Sequence, residues 1–177
     1  MERAARERSA RRMVAAAILA SCLAVLGAAL VFQYGFGLEP CPLCLMERVP
    51  WAVAAVLAGA VLVPRVGPIA GRYLVSLCAL AFLVNAGIAF YHVGVEGHWW
   101  VSAVCSASSA TADIGFATLA DLERALERPA EVPCDRVQWT LFGLSLTGYN
   151  LLASLVLAVA SGGAALRTTW WRTTDAR

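Results

Sequence analysis

The sequence predicts an all-α membrane protein: a bundle of four transmembrane helices with a short amphipathic interfacial helix in the second of two loops on one side. Three observations carry that expectation. Hydrophobic residues make up 60% and charged residues 15% of the 177-residue chain, whereas an ordinary soluble domain is roughly 25% charged. Four apolar runs are each long enough to cross a ~30 Å hydrocarbon core. Between the third and the fourth, about 94–138, acidic residues gather and no run of membrane length occurs. The whole chain, 1–177, reads as a single integral-membrane domain without an internal repeat.

The first span, about 13–34, follows a head that carries Arg3, Arg6, Arg8, Arg11 and Arg12. Its hydrophobicity continues through Leu23 and Leu26 to Phe32, beyond the ~7 to 15 residues of a cleaved signal peptide core. Leu19-Ala20-Ser21-Cys22 matches a lipoprotein cleavage box. A lipidated cysteine is normally followed by a polar tether, however, and Cys22 is followed by more apolar sequence, so it reads as a small residue inside a helix. Gly35, Gly37, Glu39 and Pro40 form a connector across about 35–44, and the second span, about 45–63, is stopped by Pro64. Pro50 fits that span if the helix starts near Leu43 to Glu47, because first-turn amides have no intrahelical partner to lose. A turn with Arg65 and Arg72 leads into the third span, about 73–93, where Cys78 sits and Asn85 is expected to serve helix packing. In the long loop Phe116, Leu119, Leu122 and Leu126 recur at helical spacing against Asp121, Glu123, Arg124 and Glu127, which predicts the interfacial helix. The fourth span is expected over about 139–161, starting at Trp139 and containing Tyr149 and Asn150.

Orientation follows from arginine. Ten of the fourteen arginines lie in the N-terminal head, the turn at 64–72 and the C-terminal tail, and basic segments stay in the cytoplasm. Both termini are therefore expected in the cytoplasm of a bacterial inner membrane, with the loops at 35–44 and 94–138 in the periplasm. A net charge of +2, with the arginines at the ends of apolar runs, argues against a nucleic-acid partner.

This topology puts Cys41, Cys44, Cys105 and Cys134 on the oxidising side, where disulfides form and persist. Cys41-Pro42-Leu43-Cys44 stands at the start of the second span. Two cysteines at that spacing can close into a disulfide, and the free amides of a helix start favour their thiolates. Redox chemistry is the leading reading. A structural disulfide and half of a zinc site are the alternatives, although Cys105 and Cys134 lack the close spacing of a second zinc-binding pair. If the loop cysteines formed a disulfide as stable as a structural staple, near −300 mV, passing oxidising power to a strong oxidant near −120 mV would run uphill by about 8 kcal/mol. Arg48, one helical turn past Cys44, can place its guanidinium near that sulfur and near a polar ligand, or can snorkel to lipid headgroups. His92, Glu96 and the Trp99-Trp100 pair close the third span at the same interface, where tryptophan anchors are common.

Pro40-Cys41-Pro42-Leu43-Cys44 with Glu47-Arg48, Tyr91-His92-Val93-Gly94-Val95-Glu96, and Pro133-Cys134-Asp135-Arg136 leading to Trp139 and Gly143-Leu144-Ser145 resemble the disulfide-bond-formation protein B (DsbB) family. The resemblance covers residues 13–161. It implies a thiol oxidase of the inner membrane in which Cys41 and Cys44 are reoxidised by a bound quinone, ubiquinone or menaquinone. Cys105 and Cys134 would be the pair that reoxidises a soluble periplasmic partner, a DsbA-like thioredoxin-fold protein. Arg48 and His92 map beside the quinone, and no metal site is implied. Two other functions are weighed against this one. A four-helix quinone reductase of the vitamin K epoxide reductase type would place its loop pair before the CxxC, the reverse of the order here. A non-enzymatic scaffold stapled by two disulfides would carry no quinone.

Overall fold

The computed structural model describes residues 2–102, 104–105 and 132–171. Four long helices dominate it: α1 Glu2–Leu30, α2 Pro42–Leu62, α3 Pro68–Glu96 and α4 Leu146–Leu166. Each is long and apolar enough to cross a membrane. The expected interfacial helix, from Phe116 to Glu127, lies outside the described residues.

α3 is the central element, packing against both α2 and α4, while α1 lies along α2. The main core joins Ile18 and Cys22 of α1, Trp51 and Ala58 of α2, and Cys78 and Phe82 of α3. Trp51 and Phe82 meet edge to face, 5.2 Å between centroids. Outside that core, Leu23, Val56, Val156 and Val159 are more than half exposed. A soluble protein rarely shows so much contiguous apolar surface; hydrocarbon removes the penalty. One end is closed by a short 3-10 turn, Thr168–Trp171, whose Trp171 donates from Nε1 to the Ala164 carbonyl at 2.9 Å and fills the space beside Gly71. At the other end are the cysteines.

The observed helices differ from the sequence expectation at their ends. The arginine-bearing head continues the first helix back to Glu2, and Val31–Gly35 extends it as a π-helical turn. α2 starts at Pro42, so Pro50 lies well past the first turn rather than inside it. The helix tolerates Pro50 because the Met46 carbonyl is the single acceptor that loses its ladder bond, and Asn85 reaches across from α3 to the same stretch of backbone. With its amide oriented nitrogen-first toward α2, Asn85 donates to the Glu47 main-chain carbonyl at 2.8 Å.

Trp139 does not start the fourth helix. Thr140–Leu141 and Leu144–Ser145 form a two-stranded antiparallel hairpin. Its two loop residues, Phe142 at φ 50° and Gly143 at φ 80°, both adopt the left-handed conformation that a two-residue hairpin turn of this twist requires. Ser145 then caps α4, its Oγ accepting from Gly148 N at 3.1 Å. The same hydroxyl donates to Glu96 Oε2 at 2.5 Å, and Thr147 Oγ1 donates to Glu96 Oε1 at 2.8 Å. One carboxylate thus fastens the end of α3 to the start of α4.

Trp100 folds back over the last turns of α3, stacking on Tyr91 at 5.8 Å and donating from Nε1 to the Tyr91 carbonyl at 2.9 Å. It can do so only because position 94 lacks a side chain; a Cβ there would collide with the indole. Gly94→Ala is expected to displace Trp100 and destabilise the fold by about 1–3 kcal/mol, the range for overpacked sites. Gly87→Ala, which meets open space, should be neutral. Thermal unfolding in detergent, followed by tryptophan fluorescence, compares the two.

Candidate active site

Cys41 is the residue before α2 and acts as its N-cap, with an extended backbone and its sulfur accepting from Cys44 N at 3.2 Å. Pro42 takes the first helical position, where a missing N–H costs nothing. The CxxC spacing is therefore a capping arrangement as well as a redox motif: residue one caps, residue four donates. Both thiols are free, 2.8 Å apart. The Cys44 thiol donating to Cys41, helped by the first-turn amides, holds the Cys41 thiol below its ordinary range against the opposing effect of burial.

His92, almost fully buried on α3, points Nε2 at Cys41 Sγ, 3.6 Å away. On its other side Nδ1 lies 2.8 Å from Glu47 Oε1. A carboxylate can only accept, so Nδ1 carries the ring hydrogen and Nε2 presents a lone pair to the sulfur. Glu47 is itself buried, one turn past the CxxC, and its second oxygen accepts from Asn150 Nδ2 of α4 at 2.5 Å. Asn150 Oδ1 accepts in turn from Trp51 Nε1 at 2.8 Å. A chain of hydrogen bonds from three helices thus fixes the ring that faces the cysteine.

Arg48 donates from Nη1 to Gln33 Oε1 at 2.7 Å. Gln33 belongs to the π-helical turn of α1, which carries it to that position. The Arg48 Nε is buried and has no hydrogen-bond partner among the described residues. No hydrogen bond joins Arg48 to Cys44 there either; the two meet as walls of one cavity of about 380 Å³. Its apolar wall includes Leu26, Ala29, Phe32, Trp51 and Ala153, and its polar groups include those of Cys41, Cys44, Glu47, Arg48, His92 and Asn150.

Cys105 and Cys134 are joined in a disulfide, Cα to Cα 6.0 Å. It belongs to a small apolar cluster in which Cys134, Cys41, Leu43 and Val95 are buried, with Cys44, Tyr91 and Cys105 packed against them. Gln138 Nε2, bonded to the Glu39 carbonyl at 2.7 Å, ties the two connectors together beside it. Four of the six cysteines are thus gathered at one end, while Cys22 and Cys78 lie in the main core.

The chain matches the family Disulfide bond formation protein DsbB over residues 11–164. It belongs to that family. Disulfide bond formation protein B of a Polaromonas species is 31% identical over 150 residues, covering 84% of this chain and 86% of the relative. The Aromatoleum aromaticum protein of the same name is 31% identical over 145 residues, 80% of this chain and 84% of that one. A third, from Methylobacillus flagellatus, is 27% identical over 140 residues, 76% and 81% of the two chains. No solved structure matches the chain at a significant level. As a member of the DsbB family the protein is a multi-pass membrane oxidoreductase of disulfide-bond formation.

Gln33, Glu47 and Asn150 were not singled out as site residues from the sequence. For Glu47 a signal existed, because an acid inside a membrane span is expensive and is by default a candidate for function. Gln33 and Asn150 gave none, since their role depends on which helices meet. Glu47→Ala would strand the His92 N–H and the Asn150 amide in the bundle and is expected to cost about 3 kcal/mol. Glu47→Gln, which keeps an acceptor for His92, should cost less. Denaturation of the two variants in detergent measures the difference.

Proposed function

We propose that this member of the DsbB family is a quinone-dependent dithiol oxidase of the bacterial inner membrane, with both termini in the cytoplasm. It would reoxidise a periplasmic DsbA-like thioredoxin-fold protein and deliver the electrons to the membrane quinone pool. One arrangement carries the reading: a disulfide packed in the same cluster as Cys41 and Cys44, both of which also line an apolar cavity.

The cavity suits a quinone head. Its volume is within the ~300–1,000 Å³ of small-molecule sites, its walls are mainly apolar, and the Arg48 Nε is a buried donor without an acceptor among the described residues. Arg48 would hold one quinone carbonyl, His92 would donate to the other once Nε2 has taken a proton from the CxxC pair, and Phe32 and Trp51 would flank the ring. When bound, a quinone supplies an acceptor for two electrons and two protons. The residues account for the rest.

A reduced partner attacks the Cys105–Cys134 disulfide at Cys105 and leaves as a disulfide, so that both loop thiols are released. Cys134, buried against Cys41, then attacks Cys41 of the closed CxxC and expels Cys44 as a thiolate. Attack of Cys105 on the Cys134–Cys41 bond restores the loop disulfide and frees Cys41. The product of that exchange is a loop disulfide beside a reduced CxxC. Reclosing the pair releases two protons. His92 Nε2 is within reach of the one on Cys41, and the Glu47 carboxylate stabilises the imidazolium that results.

A reduced partner stripped of its second active-site cysteine cannot leave as a disulfide and should accumulate as a mixed disulfide on Cys105, with Cys134 released as a thiol. Trapping the partner on Cys41 or Cys44 instead would show that the loop is not the entry point. Arg48→Ala should raise the apparent KM for quinone about 10- to 100-fold, the value of one charged hydrogen bond, with Lys restoring part of it. An unchanged KM would reduce Arg48 to a headgroup anchor.

A further inference from the structure

The CxxC pair alone is two ligands short of a zinc site, and on spacing alone that reading fails. The fold supplies a third ligand that the sequence could not place. Among the described residues, Cys41, Cys44 and His92 have their sulfur and nitrogen ligand atoms all within 4.8 Å of one another. We propose that the reduced pair and His92 form a redox-gated zinc site, Cys41 Sγ, Cys44 Sγ and His92 Nε2 being the protein ligands and water from the adjoining cavity the fourth.

Geometry can be checked edge by edge. Zinc takes thiolate sulfur at about 2.3 Å and imidazole nitrogen at about 2.0–2.1 Å in a tetrahedron, so S···N edges should be about 3.6 Å and the S···S edge about 3.8 Å. Cys41 Sγ and His92 Nε2 already stand 3.6 Å apart. The two sulfurs are 2.8 Å apart and must open by about 1 Å for this tetrahedron. The movement falls to Cys44, which is only partly buried, while Cys41 is held as the helix cap and His92 by Glu47.

The surroundings have the features of a built site. Zinc-binding histidines almost always donate their second N–H to a carboxylate or carbonyl, which fixes the ring and makes the ligating nitrogen more basic. Glu47 does this to His92 at 2.8 Å, and Asn150 fixes Glu47 in turn. Charge also balances: Zn²⁺ would displace the two thiol protons to water, leaving a neutral dithiolate–imidazole centre in a site where a net charge would be costly. The cavity that Cys41, Cys44 and His92 all line leaves room for the fourth ligand. Closing the Cys41–Cys44 disulfide takes both thiolates away, so metal and disulfide exclude each other. A bound zinc ion would hold the pair reduced and arrest the cycle after exchange. This inference needs the reduced pair and His92 and does not depend on the quinone.

The test uses the full chain in detergent with Cys105→Ser and Cys134→Ser, so that the CxxC is the sole reducible pair on that side, reduced by a phosphine and freed of quinone. Zn²⁺ is titrated against a chromophoric chelator, and Co²⁺ serves as the spectroscopic probe. One equivalent of Zn²⁺ should bind with release of protons, and Co²⁺ should show thiolate-to-metal charge transfer with tetrahedral ligand-field bands. Oxidising the pair should abolish both. His92→Ala should weaken binding at least 10-fold, and Glu47→Gln, which keeps the ring in place but lowers its basicity, should weaken it about 10-fold or more, as changes beyond the ligand shell do. Cys44→Ser should remove half of the charge-transfer intensity. Equal binding by the oxidised protein, a Co²⁺ spectrum without thiolate bands, or unchanged affinity in both His92→Ala and Glu47→Gln would each overturn the proposal.

Discussion

The end of the bundle that carries the chemistry depends on one buried carboxylate. An acid between membrane helices costs on the order of 3 kcal/mol to place, and it is retained only where its oxygens are fully used. Glu47 uses both: one on His92 of α3, the other on Asn150 of α4. Because Glu47 sits one turn past the CxxC on α2, those two bonds fix three helices relative to the sulfurs. The ring of His92 is thereby turned so that its lone pair meets Cys41. Glu96 repeats the device at the rim, tying α3 to Ser145 and Thr147.

Much of this was legible in the sequence, and the failures have physical reasons. The four spans are visible because hydrocarbon demands about 20 apolar residues per helix. Their ends are less visible, because capping rather than hydrophobicity decides them. Trp139, Leu141, Phe142 and Leu144 continue the apolar run, yet Phe142-Gly143 makes a hairpin turn and Ser145 caps the helix. Pro50 was admitted for a first-turn reason; it lies deeper, and the fold accommodates it through one lost bond and the reach of Asn85. Cys41, Cys44 and Arg48 stood out by residue type and spacing, and His92 by the resemblance to the family. What spacing could not show is that His92 and Cys41, 51 positions apart, would meet, or that Gln33 would be carried onto Arg48 by a π-helical turn.

The same geometry gives the sulfurs two faces. Toward the connectors, Cys41 is buried with Cys134, the contact that disulfide exchange requires. Toward the bundle, both sulfurs line an apolar cavity with Arg48. The proposed electron route, in by the loop pair and out by the CxxC, needs no large movement of α2. A dithiol next to a fixed imidazole is also a soft-metal ligand set, and the zinc site proposed above would use the same three residues.

The central claim is that electrons arriving from a partner dithiol leave through Cys41 and Cys44 to a quinone. Anaerobic turnover with excess reduced thioredoxin-fold partner and a measured amount of ubiquinone tests it directly. After the first two equivalents, which a chain with both cysteine pairs oxidised can supply, each further partner disulfide should consume one quinone, followed by its absorbance, and Cys44→Ala should stop the consumption. Continued partner oxidation under anaerobic conditions with no loss of quinone would contradict the account.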